Sequence, residues 1–168
     1  MFVEKSDFME EPVAKFHRLK PDGEVRLMGA YVIKVNEIIK DENGEVIELK
    51  CTADLETGGK NPADGRKIKG TIHWLSEAHS IDTEIRLYEN LFTKENLNEL
   101  GEDENYLDYI NPESLKVLKG CKLEGCMSDI NPGERFQFVR NGYFCKDTKN
   151  ANVYNRIVSL KDSFKPAK

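Results

Sequence analysis

The sequence predicts an all-β protein: two small β-barrels with a few short helices. Three observations carry that prediction. Short apolar runs alternate with polar residues at period two, as half-buried strands require. Turn signals recur about every 8 to 12 residues between those runs. Helical periodicity is weak along the whole chain.

Taken in order, Phe2-Val3-Glu4-Lys5 reads as a strand that begins almost at residue 1. Glu10 to Leu19 has the spacing of a short helix. Val25 to Leu27 begins the next strand. Tyr31 to Ile39 and Val46 to Thr52 flank Asp41-Glu42-Asn43-Gly44, and Asn-Gly between apolar runs is a strong hairpin signal. Arg66 to Leu75 alternates, with Ile68, Gly70, Ile72 and Trp74 on one face and Lys67, Lys69, Thr71 and His73 on the other. Glu84 to Phe92 alternates again, with Ile85 and Leu87 opposite Arg86 and Tyr88. Thr93 is a plausible N-cap for a second short helix over Thr93 to Leu100. Ser114 to Lys122, Arg135 to Arg140, Tyr143 to Lys146 and Val153 to Leu160 complete the strands.

Between residues 95 and 113 stand seven acids and no base: Glu95, Glu99, Glu102, Asp103, Glu104, Asp108 and Glu113. The plainest reading is an acidic connector between two folded parts. The division expected from it places an inserted, distal barrel at residues 10–95. Residues 1–9 and 105–168 then form a proximal barrel, with the first strand pairing into it. A strand opening so abruptly predicts that this barrel is incomplete and the chain a C-terminal fragment of a longer protein. Such a barrel has an uncovered sheet edge that a neighbouring chain could cover.

Composition narrows the function. At 33% charged and 39% hydrophobic residues, the chain reads as a soluble globular one. No run approaches the roughly 18 apolar residues of a membrane span, and no signal-peptide core opens the sequence. Cys51, Cys121, Cys126 and Cys145 form no Cys-x-x-Cys pair, which disfavours zinc, and suggest reduced thiols in a cytoplasmic protein. The net charge of −5 argues against a general nucleic-acid binder. The charge is uneven, however: 11 Lys and Arg face 6 Asp and Glu from residue 113 on, and 14 face 24 before it. Phosphate attraction must therefore come from local patches.

A catalytic site is hard to find. Asp54, Glu56 and Asp64, or Asp82 and Glu84, could be paired as carboxylates, but chance pairs are expected among 30 acids. His17, His73 and His79 lack metal-ligand spacing, so no metal is expected. There is no Gly-x-Ser-x-Gly elbow and no phosphate-cradling loop ending in Gly-Lys-Ser/Thr. A binding domain is the better class.

Residues 134 to 145 suggest what is bound. In Arg135-Phe136-Gln137-Phe138-Val139-Arg140 aromatic residues alternate with Arg and Gln, and Asn141-Gly142 turns the chain into a second aromatic strand. Arg and Gln hydrogen-bond base edges, and neighbouring aromatic rings stack on unpaired bases. An ordinary buried hairpin with a polar outer face explains the same pattern. Gln137 and Arg140 are an odd number apart, so they share a face only if Arg140 uses the turn or a bulge intervenes. Other candidates are Lys15, His17 and Arg18 before the Lys20-Pro21-Asp22-Gly23 turn, then Arg26, Arg66, Lys67 and Lys69, each of which, taken alone, reads more readily as a solvated surface residue.

The chain carries runs that resemble the C-terminal anticodon-binding domain of glutaminyl-tRNA synthetase, a class I family. The matching runs are Ser6-Asp7-Phe8, Gly23-Glu24-Val25-Arg26-Leu27 and Ala30-Tyr31-Val32-Ile33-Lys34. They continue with Pro62 through Trp74, Glu84 to Tyr88, Ile110 to Leu115, Phe136 through Cys145 and Val153-Tyr154-Asn155-Arg156. They stand in family order over nearly the whole chain.

The resemblance implies a pair of β-barrels gripping a tRNA anticodon loop, with the three bases splayed into separate pockets. It assigns the outer anticodon bases to Lys15, His17, Arg18, Arg26 and Met28, and the middle base to Gln137 and Arg140. Arg66, Lys67 and Lys69 are phosphate-contact candidates. Two positions depart from the family: His17 stands where Lys is familiar, and Met28 where a second Arg is familiar. A thioether cannot replace that donor. The class I signatures His-Ile-Gly-His and Lys-Met-Ser-Lys-Ser are absent from this sequence. The resemblance therefore places ATP, Mg and catalysis in a catalytic domain outside this chain, which needs no cofactor of its own. The expected partners are tRNA(Gln) and the rest of the synthetase, with a monomer as the expected state. The rivals are the anticodon domain of an archaeal-type glutamyl-tRNA synthetase and a free-standing β-barrel that binds RNA or protein.

Overall fold

Strands, turns and short 3-10 helices account for the ordered backbone of the computed structural model, which describes residues 1–160. Among the described residues there is no α-helix, so the all-β class holds. The chain divides into two compact units, Met1–Ala78 and a second that begins at His79.

In the first unit the strands are β1 (Glu24–Leu27), β2 (Val32–Lys40), β3 (Val46–Asp54) and β4 (Thr71–Ile72), in the spatial order β3-β2-β1-β4. β1 and β3 are antiparallel to β2, and β4 lies parallel to β1. The Asn43-Gly44 turn closes the β2–β3 hairpin, with Gly44 at φ +81°. The Asp41 carboxylate accepts the Asn43 and Glu45 amides at 2.9 and 2.8 Å. The Glu45 amide first, and the others after it, hold this carboxyl below its ordinary pKa. Leu19, Val25, Leu27, Ile33, Val35 and Ile72 form the core, with Val3, Phe8 and Trp74 against it. Burying each such aliphatic side chain contributes about 1.5–3 kcal/mol.

In the second unit β5 (Ser80–Tyr88), β6 (Leu115–Glu124), β7 (Arg135–Phe138), β8 (Gly142–Lys146) and β9 (Val153–Val158) take the order β6-β5-β9-β8-β7. The core holds Ile85, Met127, Phe144 and Tyr154, flanked by Phe136 and Phe138. Phe138 stacks on Phe144 with centroids 4.5 Å apart. The fully buried Tyr154 donates its hydroxyl to the Met127 carbonyl at 2.8 Å, which satisfies a polar group that burial would otherwise penalise.

Several expectations need correction. Phe2 pairs with Leu75, each amide donating to the other's carbonyl at 2.9 Å, so the N-terminal segment belongs to the first unit. Residues 80–88 belong to the second, because Ile81, Ile85 and Leu87 find their apolar partners there. The division thus falls at residue 78, not at 10 and 95. Residues 161–168 of the expected proximal barrel lie outside the described residues.

The acidic stretch is the β5–β6 loop rather than a connector, closed by a Phe92–Ile110 bridge. Within it Glu104 accepts from Lys94, the Tyr109 hydroxyl and the Gly101 amide. Those bonds, led by Lys94, hold its carboxyl down at about 2. The expected helix over 93–100 is a single 3-10 turn at Leu97–Glu99, capped by the Asn96 side chain. Thr93 instead donates its amide to the Tyr109 carbonyl.

Residues 10–19 form no helix either. Phe8 and Leu19 pair as a parallel bridge, so the chain between them must leave and return. Nearly every side chain from 10 to 18 is exposed, which leaves a helix there no face to bury. The predicted strand over 66–75 keeps its alternation: Lys67, Lys69 and Thr71 are exposed, Gly70 and Ile72 buried. Only Thr71–Ile72 is laddered, because β1 is a short neighbour.

Candidate nucleic-acid interface

β1 sets the first group of candidates. Val25 and Leu27 are buried, so Arg26 between them and Met28 beyond them face the other way. The Arg26 guanidinium donates to the Thr57 carbonyl at 3.2 Å and to Asn61 Oδ1 at 3.4 Å. Two of its five N–H groups are thus spent on protein, and the side chain is only half-buried. Met28 is 46% exposed. Its carbonyl accepts the Trp74 indole N–H at 3.0 Å, and its thioether supplies no donor where Arg26 does. Thr71 pairs with Arg26 across the parallel ladder, and exposed Lys69 precedes it on the same face.

The loop carrying Lys15, His17 and Arg18 comes back onto this seam. A Cβ at Gly70 would lie 1.7 Å from the His17 carbonyl oxygen, so only glycine lets the two backbones pass. Lys15 is exposed and holds φ +67°, an uncommon conformation for lysine. Arg18 is more committed than the sequence suggested. Its Nη1 forms an ion pair with the Asp7 carboxylate at 3.2 Å and donates to the Ser6 carbonyl at 3.2 Å. Asp7 has no exposed side-chain surface, and a buried carboxylate requires such partners. The structure therefore brings Lys15, His17, Arg18, Arg26, Met28 and Lys69 to neighbouring parts of one unit.

Arg66 is the exception among the phosphate candidates. It pairs with Glu24 at 3.2 Å and with Asp54 and Asp64 at 2.5 Å each. The Asp54 bond first, then Asp64, pushes its pKa further up. One guanidinium among three carboxylates leaves a locally negative site, which repels phosphate. Lys67 and Lys69 are exposed.

The second group lies on the β7–β8 hairpin. Phe136 and Phe138 turn to the core, and Gln137 is exposed on the outer face of β7. The turn is not the Asn141-Gly142 pair itself. The ladder ends at Phe138–Gly142, and the Asn141 amide donates to the Phe138 carbonyl at 2.9 Å. Val139 and Arg140 are the central residues, and Arg140 takes φ +66°. A positive φ at the second central position is the type II signature, usually filled by Gly or Asn. Arg140 thereby escapes the strand alternation that would oppose it to Gln137.

Tyr143 was missed by sequence reasoning. It pairs directly across from Gln137 and is 44% exposed, so its ring stands beside the Gln137 amide. The signal was the strand register: the rings of Phe136, Phe138 and Phe144 are core, and Tyr143 is the outward one. Thr57 and Asn61 were missed too, because no local pattern links them to Arg26.

Among the described residues no cluster of His, Cys, Asp or Glu is placed to hold a metal ion. No helix among them is long and apolar enough to cross a membrane.

Two family models described as "tRNA synthetases class I (E and Q), anti-codon binding domain" match residues 1–54 and 71–147. The chain belongs to this family. The first match contains the β1 and loop candidates of this anticodon-binding domain, and the second contains the β7–β8 hairpin. Its relatives include the glutamine–tRNA ligase of Stutzerimonas stutzeri, 50% identical over 168 residues that cover 98% of this chain and 30% of that protein. The glutamine–tRNA ligase of Azotobacter vinelandii is 49% identical over the same 98% and 30%. That of Pseudomonas syringae pv. tomato is 46% identical over 98% and 29%. The chain therefore spans about 30% of the length of these relatives.

Proposed function

We propose that this domain is the anticodon-recognition module of a glutaminyl-tRNA synthetase, binding tRNA(Gln) while glutamine attachment, with its ATP and Mg, takes place on the remainder of the synthetase. The reading implies a cytoplasmic protein, monomeric in its tRNA complex.

The work of the module is differential binding. Arg26, held on β1 by Thr57 and Asn61, reads an outer anticodon base together with the loop residues Lys15, His17 and Arg18. Gln137 and Arg140 read the middle base, which stacks on Tyr143. A matched base completes these hydrogen bonds, and a mismatched one leaves buried donors unpaired. Each good bidentate contact discriminates by ~1–3 kcal/mol. Lys67 and Lys69 attract the backbone without regard to sequence. Met28 leaves its base with fewer donors than a second Arg would offer.

The observation that carries this reading is the half-buried Arg26 guanidinium, fixed by two acceptors on the side of the sheet away from the core. The names of the relatives favour glutamine over glutamate. A binding titration of the whole chain against anticodon stem–loops differing at one base tests it. The matched glutamine anticodon is expected to bind at least tenfold more tightly than each mismatch (~1–3 kcal/mol per contact). Equal binding of all sequences would overturn the proposal.

A further inference from the structure

The three carboxylates around Arg66 come from three places. Glu24 is on β1, two residues before Arg26 and on the same face. Asp54 ends β3, and Asp64 precedes Arg66 itself. Between Asp54 and Asp64 runs the segment that supplies both acceptors of the Arg26 guanidinium, the Thr57 carbonyl and Asn61 Oδ1. Thr57 is itself fixed: its hydroxyl donates to the Asp54 carbonyl at 2.6 Å and accepts the Val32 amide at 2.8 Å. Arg66 therefore ties both ends of this segment to the strand that carries Arg26.

Such a tie has a consequence for recognition. A free arginine side chain samples many rotamers, and ordering it on binding costs affinity and blurs selectivity. Acceptors already set at one place remove much of that cost. The local charge also argues against direct phosphate contact, as three carboxylates surround one cation.

We infer that Arg66 is a positioning residue: it clamps residues 54–64 against β1 so that Thr57 and Asn61 hold Arg26 in one orientation toward a nucleotide base. The inference rests on the function proposed above.

The test is a double-mutant cycle on the full chain, titrated against a glutamine anticodon stem–loop and a variant changed at one outer base, across a salt series. Arg66→Ala is expected to cut the matched-to-mismatched affinity ratio by about 5- to 10-fold, within the range one arginine–base contact supplies. The salt dependence is expected to stay unchanged. In an Arg26→Ala background the same substitution is expected to leave the ratio alone, since the residue it positions is gone. Arg66→Lys is expected to preserve net charge but not the ratio, because an ammonium lacks the planar fork.

Uniform weakening of both RNAs with a shallower salt slope would show a phosphate contact and overturn the inference. So would a loss of ratio that persists undiminished without Arg26. Should Arg66→Ala fail to fold by its melting curve, Asp54→Asn takes its place in the cycle, leaving Arg66 paired with Glu24 and Asp64. If Arg26→Ala alone leaves the ratio unchanged, the proposed base reading itself fails, and the inference with it. That result differs from one in which Arg26 matters and Arg66 does not.

Discussion

Arg18 pairs with the carboxylate of Asp7 at 3.2 Å; the Arg18 side chain is 41% exposed and that of Asp7 not at all. One residue thus neutralises a buried charge with one part of its guanidinium and presents the rest outward. Removing one partner of a fully buried pair costs about 3–5 kcal/mol, but the exposure of Arg18 discounts that figure. Arg18→Ala is expected to destabilise the first unit by about 1–3 kcal/mol and to weaken RNA binding as well. Urea unfolding and an RNA titration of the same variant measure the two effects. A variant of full stability would show that Asp7 does not depend on Arg18.

Gly70 separates a packing requirement from a chemical one. A Cβ at this position meets backbone, not a flexible side-chain end, so the loop must move. Gly70→Ala is expected to cost about 1–3 kcal/mol or more, as overpacking does, and to displace the loop bearing His17. Thermal unfolding measures the cost, and amide shifts of residues 15–18 report the displacement. An unchanged melting temperature would mean that the two backbones are not in contact.

Arg140 is held at φ +66°, where a side chain is strained by roughly 1–2 kcal/mol. Arg140→Gly relieves that strain while removing the guanidinium. Stability is expected to hold or rise slightly, and discrimination at the middle anticodon base to fall by ~1–3 kcal/mol. Loss of stability without loss of discrimination would assign Arg140 to the turn and not to the base.

Lys67 and Lys69 serve as the contrast. Each exposed lysine that contacts a phosphate contributes about −0.7 to the slope of log K against log salt on a single strand. Lys69→Ala is expected to weaken every RNA by a similar factor and to make that slope shallower. A sequence-selective effect would move Lys69 into the group that reads bases.

Glu104 gives a pH signature in the second unit. Its folded-state pKa is lowered to about 2 from the ordinary value of 4.5, chiefly by Lys94 and then by the Tyr109 hydroxyl. A depressed carboxylate stabilises the fold above its unfolded pKa and loses that contribution as pH falls through the folded one. The stability it supplies is therefore expected to fade between about pH 4.5 and pH 2. Glu104→Gln is expected to flatten the stability profile in that window, as read by melting curves at stepped pH. A profile identical to the parent would show the carboxylate to be unshifted.

Local signals were read well where the physics is local. Asn43-Gly44 closes its hairpin because Gly44 tolerates the left-handed backbone that the turn demands there. The alternation of Lys67, Lys69 and Thr71 against Gly70 and Ile72 survives, although the ladder covers two residues only. Readings that needed a partner failed or were incomplete. The apolar face of residues 80–88 could pair with either half of the chain, and the run of acids suggested the wrong boundary. Arg66 had the appearance of a surface cation until Glu24, 42 residues away, was placed beside it.

Residue types and their period along the chain determined the strand class and the set of Arg, Lys and Gln side chains available to a nucleic acid. These follow from side-chain chemistry and backbone preference, which act over a few residues. Tertiary structure decided which of those side chains are spent inside the protein. Asp7 takes part of Arg18, and three carboxylates take Arg66. Register put the Tyr143 ring across from Gln137. Such pairings depend on distances between segments remote in sequence, and those exist only once the sheets have formed.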